Sequence, residues 1–152
     1  MTQPETIEAL RAQFGEAIGE SKQSLEIASP GRMLEIAFFL RDELHCDALN
    51  LISSLDNGDG TLSVVYHLES TKLGHRLALK VTVPSEDAHV PSVTSVWLHA
   101  NWQEREAWDM MGIRFEGHPD HRRILLDDDY PGHPLRKDFK EPDFYHGMKV
   151  PY

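Results

Sequence analysis

Three histidines (His118, His121, His133), three consecutive aspartates (Asp127, Asp128, Asp129) and four basic residues (Arg122, Arg123, Arg136, Lys137) fall between residues 117 and 139. Gly-His-Pro occurs there twice, at Gly117–Pro119 and Gly132–Pro134. Imidazoles, carboxylates and guanidinium groups at this density suit three kinds of chemistry: a metal site, a catalytic site, or a surface that docks on another macromolecule. Zinc takes three or four His, Cys or carboxylate ligands on a supported frame. His118 and His121 are three apart and His133 follows twelve later. That is a loose set, with no Cys pair or His-Glu-x-x-His helix behind it. Pro119 also opposes a helix that would bring His118 and His121 onto one face. The plainer reading is that these histidines hydrogen-bond backbone or carboxylates within an irregular segment. Acid–base catalysis fares no better. Glu104 and Glu106 are two apart, so a helix points them to different faces. No nucleophile elbow, phosphate loop or dinucleotide fingerprint is present, and "GDGTL" reads as a hairpin turn.

Docking requires a body to hold the segment, and the chain can supply one. Its 152 residues, 40% hydrophobic and 26% charged, match a single globular domain with a real core. A formal net charge of −10 disfavours nucleic acid and anionic lipid as partners, since both are met by basic faces. No apolar run approaches the ~20 residues of a membrane span, and "MTQPETIEALRAQF" predicts no secretion signal. Cys46 is the only cysteine. It cannot form an internal disulfide, and it points to a reducing cytoplasm. Nor can one thiol hold an ordinary iron–sulfur cluster, so any such cofactor belongs to a partner.

The pattern predicts an α+β fold. Two helices pack on a mixed sheet with an antiparallel meander, and a short helix and an extended C-terminal tail follow. Ile7, Leu10, Phe14 and Ile18 form a helical stripe that Gly19 can end. "SLEIAS" is a strand. Ser29-Pro30 then starts a second helix with Met33, Leu34, Ala37, Leu40 and Leu44 facing inward. From residue 49 to 83 the period changes to two, through the turn "DNGDG" and a second turn near Gly74. The element order is α-β-α-β-β-β. "VPSEDAHVP" reads as a polar loop, and "SVTSVW" as a turn or a short helix. For the third helix, Asn101 is the expected N-cap, Glu104 its capping-box partner and Gly112 its terminator. Arg105 and Asp109, four apart, are placed to pair. Glu104, Trp108 and Met111 share a face. Either they build the core, or part of that apolar surface meets another protein, because aromatics, Met and Arg concentrate in interface cores. The expected boundary is an α+β domain over residues 1–116 and an irregular docking segment with an extended tail over residues 117–152. The tail carries Phe139, Phe144, Tyr145 and Tyr152 among prolines, more aromatic than disordered tails usually are.

The stretch "EREAWDMMGIRFEGHPDHRRIL" resembles the signature of the 30-kDa-type subunit of respiratory complex I, known as the C subunit in bacterial NADH-quinone oxidoreductases. The matching positions are Glu104-Arg105-Glu106, Asp109, Met110-Met111, His118, Arg122 and Ile124-Leu125. Similarity continues through "HRLALKV", "VPSVTSVWLHANW" and "GHPLRKDF", with departures at Met111, His121, Leu126 and Tyr130. The resemblance implies a cofactor-free, non-catalytic subunit of the peripheral arm. Flavin (FMN) and Fe–S clusters in partner subunits would there carry electrons from NADH to quinone, coupled to proton translocation. It implies packing against the D-type subunit that helps form the quinone site and near the I-type subunit that carries clusters, on the cytoplasmic side of the membrane. His118, Arg122, Arg123, His133, Arg136 and Lys137 would then orient an irregular strap and pair with partner carboxylates. The alternatives are the equivalent subunit of a membrane-bound hydrogenase or other-donor dehydrogenase, and a free-standing metalloenzyme using His118, His121 and His133.

Overall fold

The computed structural model describes residues 2–21 and 24–150, with only the backbone of Glu20. Helix α1 spans Gln3–Phe14 and strand β1 Ile18–Glu20; β2 is Leu25–Ile27 and α2 Met33–Asp42. The meander is β3 Ala48–Asp56, β4 Thr61–Glu69 and β5 Arg76–Pro84. Then come β6 His89–Pro91, α3 Ala100–Met111, β7 Arg114–Glu116 and the small strands β8 Phe144–Tyr145 and β9 Met148–Lys149. The main sheet runs β1-β2-β5-β4-β3. It is mixed because β2 pairs parallel to β5 while the other neighbours are antiparallel.

The period-2 residues do what the alternation predicts. Leu62, Val64, Tyr66 and Leu68 on β4, and Leu77, Leu79, Val81 and Val83 on β5, are all buried. Leu10, Phe14, Met33, Ile36, Ala37 and Leu40 complete the core from α1 and α2. Two helix expectations shift. α1 ends at Gly15, whose φ of +53° is open to glycine, so Ile18 enters β1 instead of continuing the stripe to Gly19. On α2, Ile36 is buried and Leu34 only half-buried. A three-residue 3₁₀ turn at Pro30–Arg32 precedes the helix, and Met33, Ala37, Leu40 and Leu44 are buried as expected.

The loop "VPSEDAHVP" is not simply a loop. Its end forms β6, which pairs parallel to β7 with Val90 opposite Phe115. No local pattern announces a three-residue strand whose partner lies beyond a helix. "SVTSVW" is a run of turns. Strand β3 is a sheet edge, and α3 guards it: the Gln103 Oε1 accepts the Ile52 N–H.

After β7 the chain does not detach. Leu135 N–H donates to Met110 O at 3.0 Å and Lys137 N–H to Asp56 Oδ2 at 2.8 Å, which ties the segment to α3 and to the end of β3. It ends in the β8–β9 hairpin around His146-Gly147, both at positive φ. Tyr152, one of the expected tail aromatics, lies outside the described residues.

Candidate docking site

Helix α3 is the post on which the irregular segment is hung. Its last turn presents Asp109, whose carboxylate is fully buried. Asp109 does not pair with Arg105. Its Oδ2 accepts three consecutive N–H groups, from Ile124 at 3.0 Å, Leu125 at 2.7 Å and Leu126 at 3.0 Å. Its Oδ1 takes Arg123 Nη1 at 2.8 Å. A carboxylate offered a nest of backbone donors and a guanidinium is better satisfied there than by a neighbour on its own helix surface. Burial works to raise this carboxyl's pKa, yet the three N–H groups and Arg123 together hold it below its usual range.

Arg123 reaches further, with Nη2 donating to Tyr130 O at 3.0 Å and Gly132 O at 2.9 Å. One side chain therefore ties helix, strap and the second Gly-His-Pro together. Arg105 lies across the strap from the other side, donating to Arg122 O at 3.2 Å and Arg123 O at 3.1 Å. Its guanidinium also sits 5.0 Å from the Trp102 ring centroid. The strap is thus held by arginines spent on backbone carbonyls.

The histidines are fasteners as well. His118 Nδ1 accepts Asp120 N–H at 2.9 Å, which leaves Nε2 to donate to Asn101 O at 3.0 Å. His121 Nε2 accepts Phe115 N–H at 3.0 Å, so this ring carries its proton on Nδ1. Burial, aided by His118, lowers the His121 pKa. His133 Nδ1 donates to Asp109 O at 3.0 Å, and Trp108 lies between His121 and His133 with both ring centroids 5.0 Å away. The three imidazoles do not converge on a point. Among the described residues, the group of three potential ligands with atoms close together is Asp127, Asp129 and His146, all exposed. Gly112 ends α3 in the left-handed conformation, as expected. A Cβ there would lie 2.6 Å from His133 Cδ2, so glycine also admits the second Gly-His-Pro.

Glu104 corrects the capping expectation. α3 begins at Ala100 after His99, and Glu104 points inward, fully buried. It accepts Ser92 Oγ–H at 2.6 Å and Val93 N–H at 2.8 Å, anchoring the turn after β6. Burial pushes its pKa up to about 7, against the pull of those two hydrogen bonds. His118 Nε2 is 3.9 Å away. Tyr66, also buried, is pushed well above its ordinary value by burial and by Glu104. Ser92 was not readable as a partner, because no spacing rule links it to Glu104.

Of the other expected site residues, Glu106 is exposed beside the β3–α3 groove. Arg122 is exposed and, among the described residues, its side chain pairs with Asp120, at 2.9 Å. Lys137 hangs over the β3–β4 turn next to Gly58. Arg136 Nη2 donates to Ser85 O at 2.8 Å. Arg105, Arg123 and Arg136 therefore hold backbone carbonyls of the chain itself, while the Arg122, Leu125 and Leu135 side chains are exposed.

Fold and site together define an α+β module in which Arg105, Asp109, His118 and Arg123 fasten an irregular strap to α3. Residues 27–145 match the family described as the respiratory-chain NADH dehydrogenase 30 Kd subunit. The NADH-quinone oxidoreductase C subunit of Chlorobium phaeobacteroides is 42% identical over 154 residues, covering 95% of this chain and 93% of that protein. The corresponding protein of Chloroherpeton thalassium is 44% identical over 151 residues, 94% of this chain; the chain spans only 63% of that longer relative. Among solved structures, a trypsin-resistant fragment of Nqo5 superposes with a TM-score of 0.63 at 32% identity, covering 77% of this chain and 97% of the fragment. A chain of a membrane-bound sulfane sulfur reductase, an archaeal respiratory membrane complex, gives 0.70 at 26% identity, covering 90% of this chain and 85% of that one. The chain belongs to the 30-kDa subunit family of respiratory-chain NADH dehydrogenases. Among the described residues, no helix is long and apolar enough to cross a membrane.

Proposed function

We propose that this chain is the docking C-type subunit in the peripheral arm of a proton-translocating NADH-quinone oxidoreductase, on the cytoplasmic side of the membrane. It holds no redox group itself and supports electron transfer through FMN and Fe–S clusters carried by its neighbours. The observation that carries this reading is how the signature is used. Asp109, Arg105, Arg123, His118 and His133 are consumed in fastening the strap. Arg122, Leu125 and Leu135 of the same segment stay exposed, which supports a docking role for it. Its neighbours in this reading are the D-type subunit, which helps form the quinone site, and the I-type subunit, which carries clusters. The 1–116 body then acts as the scaffold and residues 117–152 as the docking segment.

The test is purification of a tagged copy from its own membranes, with identification of the co-purifying subunits and an NADH-to-quinone assay. Recovery with the quinone-site and cluster-carrying subunits and inhibitor-sensitive turnover is the expected result. Recovery of the chain alone would sink the reading. The likeness to the sulfane sulfur reductase chain supports a second reading, the equivalent subunit of a related membrane complex with another electron donor. The co-purifying subunits separate the two, because only the first brings a flavin-bearing NADH site.

A further inference from the structure

Past the second Gly-His-Pro the strap and Ser85-Glu86 frame an open pocket of about 500 Å³ lined by Arg136. The Arg136 side chain is 18% exposed. Nη2 is fixed on Ser85 O at 2.8 Å, but Nε is shut off from solvent and has no hydrogen-bond partner among the described residues. Asp138 Oδ1 stands 3.3 Å from that nitrogen without hydrogen-bond geometry, on a side chain that is 74% exposed. Buried donors are nearly always satisfied, so the exception calls for a partner from outside the chain. The contrast with Arg105 and Arg123 is sharp, since both spend their donors on strap carbonyls.

The pocket is built firmly. Phe139 N–H donates to Arg136 O at 3.2 Å, and the Phe139 ring packs on Gly132, where an added Cβ would come within 3.1 Å. That fixes an aromatic wall beside the guanidinium. Lys140, an exposed residue, also lines the pocket. Glu86 and Asp138 line the same pocket. Two carboxylates there repel a dianionic phosphate far more than a singly charged group. Arg136 and Lys140 offset those two carboxylates, and the unused Nε donor favours one planar, singly charged acceptor, a carboxylate.

We propose that Arg136 receives an aspartate or glutamate side chain of a neighbouring protein in the assembly, and that Asp138 is a placeholder displaced when it arrives. The inference rests on the assembly reading above and names the chemistry of its partner. Planar guanidinium suits such a contact because it grips a carboxylate through directed donors that Lys lacks.

The test places the photo-cross-linker p-benzoylphenylalanine at exposed position 140 of a tagged copy, irradiates the assembled complex in its native membranes and identifies the cross-linked peptide. An Asp- or Glu-bearing peptide from another protein of the complex is expected, with cross-linking falling at least tenfold in Arg136→Gln. A peptide without a carboxylate, an undiminished yield in Arg136→Gln, or no cross-link while the tagged copy still co-purifies would each overturn the proposal. Should Arg136→Gln fail to assemble, Asp138→Asn decides. Removing the placeholder should raise the yield, and no rise counts against it. A tagged copy that co-purifies with nothing refutes the docking reading itself and is thereby told apart from failure of the pocket alone.

Discussion

Glu104 gives the sharpest quantitative test, because its burial runs against the usual behaviour of a carboxylate. In the fold it is fully buried, accepts from Ser92 and Val93, and its pKa is pushed from 4.5 to about 7. A raised folded pKa means that the native state holds a proton the unfolded chain has released. Stability from this group is therefore fully present below about pH 4.5 and is lost as pH rises through about 7. At 1.36 kcal/mol per pH unit, the loss over that window is about 3 kcal/mol. Glu104→Gln keeps an acceptor for Val93 N–H and cannot ionise, so the variant should lack this slope. Urea unfolding of wild type and Glu104→Gln at half-unit steps from pH 4.5 to 8 measures it directly. The lowered pKa of His121 acts in the same range with the opposite sign, making stability rise with pH below about 6.5. It is common to both proteins and cancels in the difference. Asp47, Asp56 and Asp109 titrate below their ordinary 3.8 and lie outside the window. Parallel stability curves for the two proteins from pH 5 to 7 would refute the reasoning, and would mean that Glu104 is solvated in a way its geometry does not show.

Asp109→Ala strands the Arg123 guanidinium and three strap N–H groups, and should cost about 3–5 kcal/mol, the usual consequence of breaking a buried pair. Hydrogen exchange at Ile124, Leu125 and Leu126 should accelerate with it. Gly112→Ala combines φ +73° with a Cβ 2.6 Å from His133, so it should destabilise by more than ~1 kcal/mol in thermal unfolding and disturb the His133 ring resonances first. Arg122→Ala removes an exposed pair worth at most ~1 kcal/mol, so unfolding should barely change while retention in the purified complex falls. Unchanged retention would remove Arg122 from the interface.

Much of the body was legible because its physics is local. Alternation over Leu62–Leu68 and Leu77–Val83 follows from the two-residue period of a pleated strand. Gly112 stops α3 because glycine takes the left-handed cap conformation without a side-chain clash, and that too is written in one local residue. The sequence also marked residues 117–139 as abnormal and, through the order of Glu104, Asp109, His118 and Arg122, placed the chain in its family. What these residues touch was decided only by the fold. Helical spacing offered Arg105 to Asp109, but the strap brought three N–H groups and Arg123 to the same carboxylate. Position offered Glu104 to the helix N-terminus, but β6 pairing with β7 delivered Ser92 and Val93 to it. The spacing of His118, His121 and His133 looked like a ligand set until the backbone turned each ring to a different partner. In each case the competing partner lies far away in the chain, and only tertiary packing sets its distance.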